Sequence, residues 1–270
     1  MKALTRIPIF SYNTIATTLL TDTKSLEIKF RKKYLNIESL FEFESILAWC
    51  ASHPEVQSLL ITAYGDHFIQ GMEPEEFKNS DEDKLKKFHQ KLSTICQSLF
   101  CLPQTIVMDL KQGTEGIGIE LALSADIRVA SVDSKYSFNQ LSKGVTPASG
   151  AFSFLSPYLN QNIFRSLLLS GIEFNIESFN LLGGFTLTNL SANEVIKNIF
   201  AQSPVARMQA KRGLLGTNFT HEINSQIEVE KNLFNGALKT GDYKSQGHFM
   251  ALSEFKNLTG GESHASPGPV

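Results

Sequence analysis

The sequence predicts an α/β layer fold, because strand, turn and helix patterns alternate through about residue 150. Two apolar runs of strand length, residues 56–63 and 105–110, are each followed by a glycine-containing turn and then a helical pattern. Alternation of this kind is typical of helices packed on a largely parallel sheet. The chain has 270 residues, 42% of them hydrophobic, which is enough apolar surface for a large core.

The elements of the first half follow from the spacing of apolar residues. Residues 1–30 alternate weakly and predict one or two strands. Residues 36–50 carry apolar side chains at helical spacing, and His53 with the following proline ends that helix. The acids from Glu73 onward are typical of a helix start, and residues 85–100 predict an amphipathic helix.

The second half is mostly helical by the same criteria. Residues 126–130 and 135–139 predict two further strands. Helices are predicted over residues 151–170, 203–215 and 222–238.

These patterns suggest three regions. We expect an α/β core over residues 1–195 and a C-terminal helical region over residues 196–259. Residues 260–270 are rich in Gly, Ser and Pro and predict a flexible tail.

Composition argues against several classes of protein. Lys and Arg total 25 against 27 Asp and Glu, a net charge of -2, which disfavours a general nucleic-acid binder. The three cysteines, Cys50, Cys96 and Cys101, lack the spacing of a disulfide framework or zinc site, so we expect no metal. We also predict no signal peptide and no membrane span, and therefore a cytoplasmic protein.

The turn at residues 113–118 is the strongest indication of chemistry. A helix N-terminus leaves backbone N–H groups without partners, and glycine lets another molecule approach them. Such a turn can bind phosphate or stabilise an oxyanion. Leu121 replaces the third glycine of the dinucleotide fingerprint, and neither a P-loop Lys-Ser/Thr pair nor a GxSxG elbow is present.

A second glycine turn, Phe68-Ile69-Gln70-Gly71-Met72-Glu73, also follows a strand and precedes a helix. Two such turns can aim two N–H groups at one oxygen, as a thioester enolate requires. Glu120, one turn into the helix after residues 113–118, would lie beside that oxygen. The alternative is that Glu120 is a helix-start acid that balances the helix dipole.

Five segments, in order along the chain, resemble motifs of the crotonase (enoyl-CoA hydratase/isomerase) superfamily. The longest is GIGIELALSADIRVA at residues 116–130, which resembles the signature GGGxELALxxDxRxA. The other four are residues 68–73 (FxAGxD), 144–150 (LGxxPGxGG), 169–171 with 182–183 (LTG…GLV) and 210–214 (AKRAL).

The resemblance implies a fold, an assembly and a ligand. The fold is the crotonase (ClpP-like) fold, with stacked β-β-α turns as a superhelical core and a C-terminal helical region that mediates trimer contacts. The assembly is a homotrimer or a hexamer. The ligand is an acyl-CoA thioester of the kind handled in fatty acid metabolism, with no cofactor beyond the coenzyme A of the substrate and no metal.

The resemblance also implies the roles of individual residues. The backbone N–H groups of Met72 and Ile117 would form the oxyanion hole. Gly71 and Gly116, which precede them, would belong to the binding site of the coenzyme A thioester. Glu120 falls on the first catalytic glutamate of the family.

Three positions depart from the family pattern. The second catalytic glutamate is replaced by Gln140, whose amide cannot transfer a proton at neutral pH. Gln140 either orients the substrate or has a structural role. Ile117 replaces a glycine, although a β-branched residue tolerates few turn conformations, and Glu73 replaces an aspartate.

A basic turn holds Arg31, Lys32 and Lys33, together with Lys29 just before it. It lies where family members often contact the phosphates of coenzyme A, so the resemblance implies a binding role for these three residues. The alternative is an ordinary solvated turn.

The implied roles predict an enzyme of the enoyl-CoA hydratase/isomerase type, in which Glu120 moves a proton beside an enolate held in the oxyanion hole. A single carboxylate favours double-bond isomerisation, which needs one proton shuttle, over concerted hydration, although hydration with Gln140 holding the water stays open. One alternative is a catalytically impaired homologue that binds acyl-CoA without turnover. Another is a different crotonase reaction, such as decarboxylation or thioester hydrolysis.

Overall fold

A computed structural model describes residues 6–150, 159–215 and 219–245, without the side chains of residues 215 and 219–223. The strands are β1 (Arg6–Ser11), β2 (Ile15–Leu20), β3 (Ser25–Phe30), β4 (Ser58–Ala63), β5 (Thr105–Glu115), β6 (Ile127–Ser137), β7 (Phe174–Asn175) and β8 (Thr186–Leu187). The α-helices are α1 (Ile37–Ser52), α2 (Pro74–Lys78), α3 (Glu82–Cys101), α4 (Ile117–Leu123), α5 (Gln161–Ser170), α6 (Ile176–Leu182), α7 (Ala192–Phe200), α8 (Pro204–Leu215) and α9 (Phe219–Lys239).

The strands form one sheet in the order β1-β2-β3-β4-β5-β6-β7, with β8 also paired to β6. The first three strands are antiparallel neighbours, whereas β3, β4, β5 and β6 run parallel. Parallel neighbours need crossover connections, and α1, α2 with α3, and α4 supply them. The first glycine turn follows the carboxyl end of β4. β5 continues to Glu115, beyond the strand predicted at residues 105–110, so the first half of the predicted turn at 113–118 is part of β5, and α4 begins at Ile117.

Two apolar layers enclose the sheet. Every residue of β4 is buried, as expected of a parallel strand that is covered on both faces. One layer, against α1 and α3, is the main core. The other lies under α7 and joins three sheet residues to four helix residues: Leu60, Val107, Val129, Ala192, Val195, Ile196 and Ile199.

The α/β fold class predicted from the sequence is confirmed, and several element boundaries differ from the prediction. Residues 1–30 contain three strands rather than one or two, at least over the described residues from 6 onward. The two strands predicted at 126–130 and 135–139 are a single strand, β6. The intervening residues 131–134 are polar or exposed, but they continue the extended backbone beside β5.

Other predictions lie partly outside the described residues. A helix is predicted over residues 151–170, but residues 151–158 lie outside the described part of the chain. In the described part, α5 begins at Gln161 with Asn160 as its N-cap. The predicted tail, residues 260–270, is not described. The boundary between core and C-terminal region, at residues 195 and 196, falls inside α7, and that division stays a prediction.

Two cations dock α8 against the sheet. Arg207 donates hydrogen bonds to Thr105 Oγ1 at 2.7 Å and to Gln57 O at 3.3 Å. Lys211, one turn later, forms an ion pair of 2.7 Å with Asp126. Across the described ranges no helix is both long and apolar enough to cross a membrane.

Candidate active site

Hydrogen bonds join the two glycine turns into one unit. Phe68 N donates to Gly113 O at 3.0 Å. The carbonyl of Ile69 accepts from Glu115 N at 3.3 Å and from the Thr114 hydroxyl at 2.5 Å. The turn after β4 and the end of β5, which leads into α4, are therefore fixed relative to each other.

Close packing explains one glycine of the second turn. A Cβ atom on Gly118 would lie 2.1 Å from Ile69 O and 2.2 Å from the Thr114 hydroxyl, well inside any real contact distance. Only glycine lets α4 begin this close to the first turn.

The backbone around Met72 leaves its N–H group directed away from the segment around Leu35, with which this turn pairs. Leu35 N donates to Gly71 O at 2.9 Å, and Glu73 N donates to Leu35 O at 2.8 Å, so the amide between them takes no part in this pairing. Among the described residues, no group accepts a hydrogen bond from Met72 N.

Ile117 is the first residue of α4, where an N–H group has no partner within the helix. No described residue accepts from it. The left-handed conformation of this turn falls on Gly116, with φ of 52°. The β-branched residue at position 117 therefore adopts ordinary helical geometry, and its replacement of a family glycine introduces no backbone strain there.

Both residues line a cavity of about 340 Å³. Six of its lining residues bear on the chemistry: Met72, Phe77, His89, Ile117, Gln140 and Lys143. The two residues with unpaired amides thus border a common space large enough for part of a small ligand.

Glu120 and Gln140 are hydrogen-bonded to each other and almost fully buried, with 1% and 3% of their surfaces exposed. Gln140 Nε2 donates to Glu120 Oε1 at 2.8 Å, and Ser149 N donates to Glu120 Oε2 at 2.6 Å. Two donors stabilise the negative charge of an ionised carboxylate. Glu120 itself is not among the residues that line the cavity, whereas Gln140 is.

The amide of Gln140 has one unsatisfied atom. A carboxylate only accepts hydrogen bonds, so the Nε2 end faces Glu120 and the Oε1 end faces away. Oε1 is buried, and it has no hydrogen-bond partner in the described part of the chain. A hydroxyl group or water in the cavity could donate to it.

His89, from α3, is a residue that sequence reasoning did not place here. Its Nδ1 atom lies 3.4 Å from the Ser149 hydroxyl, and its ring packs 4.1 Å from the ring of Phe234, centroid to centroid. Burial lowers the pKa of His89 to about 3, so the ring is neutral at physiological pH. His89 therefore supports the backbone that holds Glu120 without adding charge.

A polar chain of three residues, also missed from the sequence, lies along the same cavity. Asn139 Nδ2 donates to Glu115 Oε2 at 2.8 Å, and Lys143 Nζ donates to Asn139 Oδ1 at 3.2 Å. Burial lowers the pKa of Lys143, and the nearby Glu115 carboxylate partly opposes that shift. No local sequence pattern predicts this arrangement, because Glu115 is far in the chain from Asn139 and Lys143.

The basic turn lies outside the cavity lining. Arg31, Lys32 and Lys33 are exposed. Lys33 O accepts from Gln70 N at 2.6 Å, and the Lys33 ammonium lies 5.3 Å from the ring centre of Tyr34, which does line the cavity. The turn is therefore close to the cavity entrance, and its contact with coenzyme A stays a prediction.

Comparison with known proteins places the chain in a family. Residues 25–256 match the family described as Enoyl-CoA hydratase/isomerase. The chain belongs to this family, the crotonase superfamily, as its motifs predicted, and at family level it is an enzyme of the hydratase/isomerase type.

Individual relatives have low sequence identity to this chain, but their matches cover most of its length. A short-chain-enoyl-CoA hydratase of Clostridium acetobutylicum is 22% identical and covers 78% of this chain and 83% of its own length. A probable enoyl-CoA hydratase of Bacillus subtilis is 25% identical, with coverage of 78% and 84%. The solved structure of an enoyl-CoA hydratase from Bacillus halodurans, at 20% identity, superposes with a TM-score of 0.77 over 87% of this chain and 98% of its own. The crotonase fold is thereby confirmed.

Proposed function

We propose that this protein is an acyl-CoA enzyme that binds a thioester in the cavity, with the carbonyl oxygen between the N–H groups of Met72 and Ile117. The observation that supports this most strongly is the pair of backbone amides, free of acceptors in the described residues, that line one cavity. They come from two turns held together by hydrogen bonds through Ile69.

Negative charge that develops on the thioester oxygen would be stabilised by those two amides. Loss of one such donor typically costs about 3 kcal/mol of transition-state stabilisation. Glu120 would take the proton from the substrate carbon and return it, acting as acid and base in turn. The Ser149 N–H and the Gln140 amide would hold its carboxylate in place.

The reaction that fits one carboxylate best is a shift of the double bond, because a single group can carry the proton from one carbon to another. Hydration is the close alternative. The unsatisfied Oε1 of Gln140 favours it, because this oxygen can accept from the water that adds to the double bond.

A second candidate function is acyl-CoA binding without turnover. Two observations favour it: Gln140 cannot exchange a proton, and Glu120 is absent from the cavity lining. The same architecture would then present a thioester to another protein, or store it.

The test is to supply purified protein with 2-enoyl-CoA and 3-enoyl-CoA and to follow hydration and double-bond shift separately. We expect turnover of at least one substrate, reduced about 100-fold or more in Glu120→Gln. Glu177→Gln, an exposed acid on α6, is the matched control and should keep full activity. Binding by calorimetry without turnover would support the second candidate, and equal activity in Glu120→Gln would exclude the proposed mechanism.

We further propose that the helical region over residues 196–259 mediates assembly into a trimer or hexamer. Large apolar side chains on α8 and α9 support this, because Val205, Leu214, Val229 and Leu233 are at least half exposed in one chain. Sedimentation at several concentrations would test it, and a monomer at all of them would exclude it.

A further inference from the structure

The ammonium group of Lys143 lies beside the first glycine turn and reaches the second through Asn139. It is 3.5 Å from the position that a Cβ atom on Gly71 would take. It is also 3.2 Å from Asn139 Oδ1, and that oxygen lies 2.6 Å from the Cβ position of Gly116. The cation is therefore next to Gly71, which precedes Met72, and is linked by Asn139 to Gly116, which precedes Ile117.

Lys143 lines the cavity, and its neighbours leave part of its hydrogen-bonding capacity unused. Glu115 accepts from the Nδ2 end of Asn139, so the Oδ1 end faces the ammonium. No carboxylate of the described residues lies within 4 Å of Lys143 Nζ. Glu115 attracts the ammonium electrostatically without forming an ion pair with it, and His89 is uncharged. An ammonium with three N–H donors and one nearby acceptor has donors left for a ligand.

We infer that Lys143 is a third group that stabilises the thioester oxygen, donating a charged hydrogen bond to it as the enolate forms. This inference rests on the function proposed above. In that step the C–H bond at the substrate α-carbon breaks, its electrons move onto the carbonyl oxygen, and Glu120 takes the proton. A charged donor beside that oxygen gains more from the enolate than from the neutral thioester, so it favours the reaction rather than simple binding.

Desolvation gives independent support. Although Lys143 is exposed by surface area, the protein atoms packed near its ammonium lower its pKa, which means that they hold the charge less well than water does, and Glu115 opposes that shift. An anionic oxygen placed beside it would relieve that penalty. The position is thus better suited to a ligand that becomes negative than to one that stays neutral.

The experiment uses a 3-oxoacyl-CoA thioester as the probe, because its enolate has its own ultraviolet absorption band. The fraction of bound thioester present as enolate is measured at one fixed pH for the full-length protein, Lys143→Met and Lys143→Arg. Lys87→Met, an exposed lysine on α3, removes the same surface charge and is the control. Unfolding curves for all four establish that each is folded.

We expect the ratio of enolate to neutral thioester to fall at least about tenfold in Lys143→Met, to recover in part in Lys143→Arg, and to stay unchanged in Lys87→Met. In turnover, kcat should fall in Lys143→Met with little change in KM. An unchanged enolate ratio, with weaker binding that depends on salt, would show that Lys143 contacts a permanent anion such as a phosphate or carboxylate of the ligand, and would overturn the inference alone. No enolate in the unaltered protein would overturn the proposed function as well.

Discussion

At the scale of single residues, the positions of Gly116 and Gly118 decide how α4 meets the turn after β4. Gly116 has the positive φ that this turn requires, and Gly118 lies where a Cβ atom would collide with Ile69 O. Ile117, between them, needs neither property. This division explains how a β-branched side chain fits into a motif that has glycine at all three places in the family signature.

Substitution of Gly118 by alanine tests this contact. Its Cβ atom would meet Ile69 O and the Thr114 hydroxyl at about half the normal separation, so the two turns must move apart. We expect a loss of about 1–3 kcal/mol in the free energy of unfolding, and a fall in any thioester turnover. Gly236→Ala in α9, where nothing lies within 4 Å, should instead gain about 0.5–1 kcal/mol in denaturant unfolding. Equal effects at the two sites would contradict the steric argument.

Gln140→Glu restores the carboxylate pair of the family. The new acid would lie about where Nε2 now donates to Glu120, at 2.8 Å, and two carboxyl groups this close retain a shared proton. We expect hydration to rise at least about tenfold relative to isomerisation, since one group can then donate while the other accepts.

The pH profile of the same variant gives a second readout. Sharing a proton raises the pKa of one carboxyl group of the pair above its ordinary value, so the added activity should decline as the pH rises through that raised pKa. Gln112→Glu, an exposed position beyond the cavity lining, should leave both the ratio of products and the pH profile as they are.

At the scale of elements, the contact between α3 and α9 contains a buried neutral histidine. The pKa of His89 is about 3 in the folded protein, against 6.5 for the exposed side chain. Between these two values the unfolded chain binds more protons than the folded one, so stability falls as the pH falls. The stabilisation is complete above pH 6.5 and is lost progressively toward pH 3.

His89→Gln measures this dependence, because glutamine keeps a polar group but does not titrate. The difference in unfolding free energy between the original protein and the variant should shrink by about 1.4 kcal/mol for each pH unit below 6.5. Chemical denaturation at pH 7, 6, 5 and 4 would show it, and other titrating groups cancel in the comparison. A constant difference over this range would show that His89 is accessible to protons in the folded state.

The sequence predicts those elements whose pattern is local, and fails where packing decides. The apolar run of β4 and the glycine turn before Glu120 are readable because one short segment holds all the information. β6 is split in the prediction because residues 131–134 lack apolar alternation, although their backbone stays extended between Ala130 and Lys135, which both pair with β5.

The candidate site divides in the same way. Motifs identify Met72, Ile117, Glu120 and Gln140. The structure places Met72 and Ile117 in the lining of one cavity and joins the side chains of Glu120 and Gln140 by a hydrogen bond. His89 approaches Ser149 across 60 positions of the chain, which no local pattern predicts. The roles of these residues in catalysis stay predictions.

At the scale of the whole molecule, α8 ties the C-terminal helices to the sheet through Lys211. Its ammonium bonds to Asp126 Oδ2 at 2.7 Å and to Gln104 O at 3.0 Å, and the same carboxylate oxygen accepts from Ile106 N at 2.8 Å. Two motifs far apart in the sequence, one around Asp126 and one around Lys211, therefore meet in one cluster. Their place in the family pattern is explained by docking rather than by chemistry.

Lys211→Met should weaken the attachment of α8 to the residues around Asp126. The side chains of Lys211 and Asp126 are only 13% and 27% exposed, so we expect a loss of about 1–2 kcal/mol in unfolding free energy, while binding in the cavity is retained. Lys231→Met breaks an exposed pair with Glu228 and should change stability by no more than about 0.5 kcal/mol. Similar losses in both variants would mean that the Asp126 pair is as weak as a surface one.

The Ile69 carbonyl, which both turns share, has a consequence for how this protein can change. Thr114 and Glu115 bind it from one side while its own backbone carries Met72 on the other, so a replacement in either turn is felt by both. The free energies of paired replacements across the two turns should therefore depart from the sum of the single ones. Substitutions in one turn therefore require compensating substitutions in the other during evolution. Protein engineering of one turn must likewise redesign both together.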